Sequence, residues 1–213
     1  MFASVNGLPV SDALVRLPLT GVWTAVLALD DPGDIEGPAV LDLGGVPFRG
    51  AVRRSSVVDG QRHVHLVGGE GGLSKLTPAR GYRDVAVSVP LRDILGVSGE
   101  RLAPSTSPEV LNTRLPFWAT PFGPAGAALS SLLGQTGASW RMLTDGSLWA
   151  GAETWPAMMF EHEIISDDPM HEAMRLVTDS PALLPGHAFR DRRVGYVEHT
   201  LDGDHFSTLV HFA

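Results

Sequence analysis

Cysteine is absent from this chain of 213 residues, which excludes a disulfide framework and a thiolate metal site. Basic residues are scarce: 16 Lys and Arg stand against 24 Asp and Glu, for a formal charge of −8. Such a surface repels a phosphate backbone, so nucleic-acid binding is disfavoured. The longest apolar run, residues 22–29, is too short to span a bilayer, and the first residues do not read as a signal peptide. These absences predict a soluble, intracellular protein.

Short apolar segments separated by glycine and proline make up most of the sequence, which favours a mainly β fold. Alternating or β-branched patterns predict strands at residues 21–29, 38–43, 46–58, 62–67, 82–89, 172–178, 194–200 and 205–212. Asp59-Gly60 is a strong hairpin signal, and 201–204 is a second aspartate-glycine turn. Because the last predicted strand needs a neighbour, we expect it to close a barrel or to add to a partner's sheet.

The middle of the chain differs from its flanks. Residues 90–97 predict one or two helical turns, and residues 123–134 predict a short helix with Pro124 in its first turn. Two short strands then flank Asp145-Gly146, which gives an αββ unit. We therefore predict two small β-barrels, at residues 1–95 and 156–213, separated by an αββ insert at 96–155.

One segment concentrates groups that could bind a divalent cation. It contains Glu161, His162, Glu163, Asp167, Asp168, His171 and Glu172. His162 and His171 are separated by Pro169, so no single helix presents them as a metalloprotease motif would. We interpret residues 160–172 as a solvated acidic linker, and a metal-dependent hydrolase centred there stays open as an alternative function.

No other catalytic or cofactor signature is evident. The remaining histidines fall in or beside predicted strands, where polar strand faces explain them: His63, His65, His187, His199, His205 and His211. A short turn would place His199 opposite His205. No G-x-S-x-G motif occurs, and Lys75 in the glycine-rich run 68–75 lacks the neighbours of a phosphate loop, so that run is read as a flexible crossover. We assign no catalytic residue, metal or cofactor and predict that the protein is not an enzyme.

Aromatic residues cluster in the middle unit and allow two interpretations. The group comprises Phe117, Trp118, Trp140, Trp149 and Trp155. On an exposed face they would form a sugar-binding platform, which keeps a carbohydrate- or receptor-binding module open. Trp140 and Trp149 lie about the Asp145-Gly146 turn, where they could pair across the hairpin and belong to the core or to a subunit interface.

The order of these segments resembles the baseplate hub family of contractile phage tails and related injection machines. The resemblance is carried by the middle stretch LPFWATPFGPAGAALSSLLGQTGASWRMLTDGSLWAGAETW and by the closing strand pair RVGYVEHTLDGDHFSTLVHF. A W-x-x-x-x-D-G hairpin spans Trp140 to Gly146, and an L-x-P-G turn ends at Leu184-Pro185-Gly186. The resemblance implies a split-barrel hub fold without an active site.

It further implies a ring, expected to be a homotrimer, that connects the tail tube to the central spike and contacts baseplate wedge proteins. The virion tail baseplate, assembled in the host cytoplasm, is the implied location. DNA would pass through such a ring without specific binding, which suits an acidic protein. Residues 30–36 carry Asp30, Asp31, Asp34 and Glu36, and a chain at −8 has little basic charge nearby to neutralise them, so we expect this loop to lie near a surface that must not bind DNA. A place at the lumen and an ordinary solvated turn on the outside both stay open.

Overall fold

The computed structural model describes residues 3–30, 33–159, 162–177 and 181–213. Its strands are β1 (Ala3–Val5), β2 (Leu8–Pro9), β3 (Asp12–Pro18), β4 (Thr24–Leu29), β5 (Pro38–Leu43), β6 (Val46–Val58), β7 (Gln61–Gly68), β8 (Leu76–Thr77), β9 (Arg80–Ala86), β10 (Arg101–Leu102), β11 (Arg114–Thr120), β12 (Gly123–Pro124), β13 (Ser139–Met142), β14 (Ser147–Gly151), β15 (Glu163–Asp168), β16 (Ala173–Val177), β17 (Ala188–Phe189), β18 (Arg192–Asp202) and β19 (His205–Phe212). The helices are α1 (Ser88–Ser98), α2 (Pro108–Asn112) and α3 (Ala125–Gly134), with a 3-10 turn at Gly72–Ser74. Among the described residues, no helix is long and apolar enough to cross a membrane. The mainly β prediction is confirmed.

One large antiparallel sheet joins the two strand-rich regions. Its order is β15-β16-β19-β18-β3-β4-β7-β6-β5-β1-β2, with β17 beside β18. The joint is the β3–β18 pair, in which Asp12 lies opposite Asp202 and Pro18 opposite Tyr196. The β3 pattern alternates buried and exposed residues, with Ala13, Val15 and Leu17 in the core. The first strand predicted from the sequence was residues 21–29, so β3 was not identified in advance.

The β6–β7 hairpin follows directly from its turn. Asp59 and Gly60 have φ of 50° and 83°, the left-handed pair that a tight two-residue hairpin needs. The return strand buries Val64 and Leu66 and leaves the histidines on its other face half-buried. The predicted strand, turn and facing are confirmed here.

Trp23 connects this sheet to the middle unit. It is 1% exposed and meets Phe48 edge to face, with 5.6 Å between ring centroids. Its indole Nε1 donates to the backbone oxygen of Leu143 at 3.2 Å. A Cβ added at Gly68 would lie 2.5 Å from that Nε1, so only glycine fits beside the ring. The indole thus packs against the backbone of β7 at Gly68 and holds the hairpin β13–β14 against the sheet.

The middle unit contains more helix than expected. Helix α3 buries Ala128, Leu129, Leu132 and Leu133, as its pattern predicts. Residues 82–89 do not form one strand, because β9 ends at Ala86 and α1 begins at Ser88. In α1, Leu91, Ile94 and Leu95 bury one helical face.

The hydrogen bonding ties residues 76–98 to the middle region. Strand β9 pairs with β11, β8 pairs with β12, and α1 packs on α3. These contacts cross the boundary predicted at residue 95, because the last strand of the first predicted barrel has its partner beyond that boundary. The division into two barrels stays a prediction.

The final strand is not an edge. Strand β19 pairs with β18 on one side and with β16 on the other, so the alternative that it adds to a partner's sheet is wrong, and the alternative that it closes a barrel stays a prediction. The sheet path instead ends at β15 and β2. Strand β15 falls inside residues 160–172, so the interpretation of that segment as a linker is also wrong. Its half-buried Ile164 pairs opposite Leu176 of β16, which anchors the segment in the sheet.

Candidate functional site

The acidic segment is spread along a sheet edge. Asp167 accepts a hydrogen bond from Arg192 at 3.1 Å. Asp168 lies 2.7 Å from His171 Nδ1 and caps the next turn by accepting backbone N–H bonds from Met170 and His171. The hydrogen bond from His171 lowers the pKa of Asp168. Glu161 lies outside the described residues. Among those described, no group of three or more His, Asp or Glu side chains is placed to hold a metal ion.

His199 occupies the core of the last hairpin. It lies opposite Thr208, whereas His205 lies opposite Asp202, so the predicted histidine pair is wrong. The turn is short, but it is centred on residues 203 and 204, and this shifts the partner of His199 by three residues. His199 is 1% exposed, and its Nδ1 lies 2.8 Å from Thr208 Oγ1. Its Nε2 has no hydrogen-bond partner in the described part of the chain. Burial lowers the pKa of His199 to about 3, although the backbone of Leu183 offsets part of this.

The tryptophans do not form a shared exposed platform. Trp118 and Trp140 are core residues. Trp140 lies opposite Ala150, while Trp149 lies opposite Arg141, so the predicted Trp140–Trp149 pair is wrong. The register places the two indoles on opposite faces of the hairpin, and the Arg141 guanidinium lies 4.3 Å from the Trp149 ring centroid. These positions indicate packing.

The acidic loop carries its own counter-charge. Asp34 forms an ion pair of 3.1 Å with Arg62 of β7, and Gln61 donates to Asp30 at 3.2 Å. Ile35 is buried and anchors the loop. The expectation of little basic charge nearby is wrong for Asp34, because the fold brings β7 beside it. Asp31 lies outside the described residues.

Glu100 fixes the glycine-rich run at 68–75. Its carboxylate is almost fully buried, and its two oxygens accept backbone N–H bonds from Glu70 and Gly72, each at 2.8 Å. Burial raises the pKa of Glu100, and the two backbone N–H bonds oppose that shift. The run is therefore tied down, and the expected flexible crossover is wrong. Sequence reasoning missed Glu100 because nothing near it in the chain marks its distant partners.

Replacing Glu100 with alanine is expected to lower the free energy of unfolding by about 2–3 kcal/mol, because buried backbone N–H groups lose their acceptor. Urea unfolding at neutral pH measures the change. Glu70→Ala is the matched control, since the Glu70 side chain is half-exposed and its ion pair with Arg101 is 3.9 Å long. That control should stay within about 0.5 kcal/mol of the wild type. Equal effects of the two substitutions would contradict a special role for Glu100.

The similarity of this chain to known proteins lies in structure and not in sequence. No protein-family model matches the chain, and no curated protein matches it in sequence. The 43 kDa tail protein of prophage MuSo2 from Shewanella oneidensis aligns at a TM-score of 0.70 with 9% identity, covering 99% of this chain and 96% of that one. A tail protein of Neisseria meningitidis aligns at 0.65 with 10% identity, covering 99% and 95%.

A third solved structure comes from a secretion machine. It is an Escherichia coli component of the type VI secretion system, described as similar in structure to the T4 bacteriophage tail proteins gp27 and gp5. It aligns at a TM-score of 0.68 with 11% identity, covering 98% of this chain and 75% of that one. The predicted resemblance is confirmed in the fold: this chain has, over nearly its whole length, the fold of phage tail proteins and of a type VI secretion component that resembles them.

Proposed function

We propose that this chain is a structural baseplate hub protein of a phage tail, which forms a ring between the tail tube and the central spike. The observation that carries the proposal is the near full-length fold match to two tail proteins and to a type VI secretion component. In this proposal the ring is a homotrimer in the virion tail baseplate, assembled in the host cytoplasm, with tube, spike and wedge proteins as neighbours.

The surface chemistry supports a structural role in a channel. A formal charge of −8 per chain is multiplied by the number of subunits, and low-dielectric walls focus the resulting field in a lumen. DNA would therefore pass without adhering. Gly33 to Glu36 of the acidic loop lie at the surface apart from Ile35, which is compatible with a place at the lumen.

The two rival functions have less support. A sugar-binding platform needs several exposed aromatic faces, yet Trp118 and Trp140 are buried. A metal hydrolase needs ligands that converge on one point. Glu163, Asp167 and Asp168 are instead spread along the edge strand β15. The proposed role uses surfaces and requires no catalysis.

Co-assembly tests the proposal. The purified chain, mixed with tail tube and spike proteins from the same genome, is expected to give a complex whose mass by light scattering corresponds to several copies of this chain. Each protein alone and each pair serve as controls, because a hub can require a partner before its ring closes. A strictly monomeric chain in every mixture would refute the proposed ring.

A further inference from the structure

Several strands in the described part of the chain have a neighbour on one side only, and two of these edges are complementary to each other. The first is β15, which among the described residues pairs with β16 alone. The second is the end of β6, residues 53–58, which we call the β6 overhang. Strand β5 pairs with β6 only as far as Ala51, and Val52 N–H donates to Gly37 O, so within the described residues the overhang has β7 alone beside it. Unpaired edges of this kind can accept a further strand.

The two edges carry opposite charge and similar apolar residues. The overhang reads RRSSVV, and β15 reads EIISDD. Val57 and Val58 are about half-exposed, as is Ile165. Arg54 has no ion-pair partner in the part of the chain that the structure describes, and Arg53 donates only to Ser74. The β6 overhang is therefore positively charged, and β15 is negatively charged.

An antiparallel register satisfies both features together. Placing Arg54 opposite Asp167 also places Ser55 opposite Ser166, and these two pairs lie between the bulge of β6 at Val52/Arg54 and the bulge of β15 at Ile164/Ser166. Beyond the bulges, the same direction brings Arg53 toward Asp168 and Val57 toward Ile164, so opposite charges and apolar residues come together. A parallel arrangement that begins with Arg53 beside Glu163 would instead put Val57 and Val58 against Asp167 and Asp168. Charge and apolar pairing agree only in the antiparallel direction.

Within one chain these edges do not pair with each other, so a second copy is the occupant that fits. Resting on the ring proposed above, we infer that β15 of one copy adds antiparallel to the β6 overhang of the next, with Ser55 opposite Ser166. The contact is heterologous, since each copy offers a different edge on each side, and such contacts form a ring when the rotation between neighbouring copies closes.

The edges also explain why the contact would be weak for a single pair. Strand β15 has a bulge between Ile164 and Ser166, and β6 has one between Val52 and Arg54. Bulges interrupt a ladder and are a common protection against uncontrolled edge pairing. Asp167 also shares its charge with Arg192. A single interface is then weak, and ring closure adds the second contact that stabilises each copy.

Disulfide trapping tests the register, because the natural chain has no cysteine. Ser55→Cys protein is mixed with Ser166→Cys protein, alone and with tube and spike proteins, and oxidised gently. Directly opposite residues lie within reach of a disulfide. The expected result is a cross-linked dimer in several-fold excess over the control mixture of Ser56→Cys with Ser166→Cys, because Ser56 points to the other face of the strand. Mass spectrometry identifies the joined peptides.

The outcomes separate this inference from the proposed function. A disulfide between residues 55 and 166 in the expected excess supports the pairing. Oligomers by light scattering with no such excess would overturn the pairing and leave the ring intact. Dimers from Ser55→Cys protein alone would also overturn it, since they require two identical edges to meet. Monomers throughout, without cross-linking, would overturn both the pairing and the ring.

Discussion

Replacement of Trp23 by alanine is expected to lower the free energy of unfolding by about 3–5 kcal/mol, the range for truncating a large buried aromatic side chain. The indole is enclosed by Phe48, by glycines of β6 and β7, and by the hairpin β13–β14. The truncation would enlarge an existing cleft of about 330 Å³ that Trp23 lines together with Leu143 and Leu184. Gly50 and Gly68 lie against the ring and carry no side chain that could move into that volume, so we expect little compensation from the sheet side.

Urea unfolding, followed by far-ultraviolet circular dichroism, measures this effect. Phe117→Ala makes a similar truncation at a side chain that is 61% exposed, and it should change stability by about 0.5 kcal/mol or less. Trp23→Phe keeps part of the packing and loses the hydrogen bond to Leu143, so it should fall between the wild type and Trp23→Ala. A loss below about 1 kcal/mol for Trp23→Ala would contradict the view that this residue joins the sheet to the middle unit.

Acidification is expected to destabilise the protein through His199. The ordinary pKa of histidine is 6.5, and burial lowers that of His199 to about 3 in the folded state. The unfolded chain therefore binds a proton that the folded chain rejects, so the stability present above pH 6.5 is lost as the pH falls from 6.5 toward 3. Linkage puts this loss at about 2 kcal/mol between pH 7 and pH 5.

The variant His199→Leu/Thr208→Val isolates this contribution. The second substitution removes the hydroxyl group that would otherwise be buried without its partner. Urea unfolding at pH 7, 6 and 5 should show a smaller loss of stability for the variant than for the wild type, by about 2 kcal/mol over this range. His205→Gln, at an exposed position of the same hairpin, should keep the wild-type slope. Identical slopes in all three proteins would contradict the assignment to His199.

Local patterns predicted the elements whose determinants lie within a few residues. The left-handed Asp59-Gly60 turn sets the β6–β7 hairpin, and four apolar residues of α3 mark its buried face. The same local reasoning failed at α1, where valines at 87 and 89 looked like a strand. The helical stripe that begins at Leu91 decides that segment, because burying one face of a helix outweighs the β propensity of two valines.

Pairing between distant segments could not be predicted in this way. The sequence predicted that β19 needs a neighbour but did not identify β16 of the same chain as that neighbour. Glu100 acquires its role only when the fold brings it to a loop thirty residues earlier in the chain. Hairpin register is equally sensitive, since His199 lies opposite Thr208, three residues beyond the predicted partner His205. The failed expectations about tryptophan and histidine pairs share this cause.

The β3–β18 joint has a kinetic consequence. Strand β3 lies near the start of the chain, yet its partner runs from residue 192 to 202. At ribosomal speeds of 5–20 residues per second, about ten to forty seconds separate the synthesis of the two strands. During that time β3 can pair with β4 but presents an unfilled edge on its other side. Contacts of such long sequence separation slow folding, so we expect the growing chain to need protection of that edge until β18 is made.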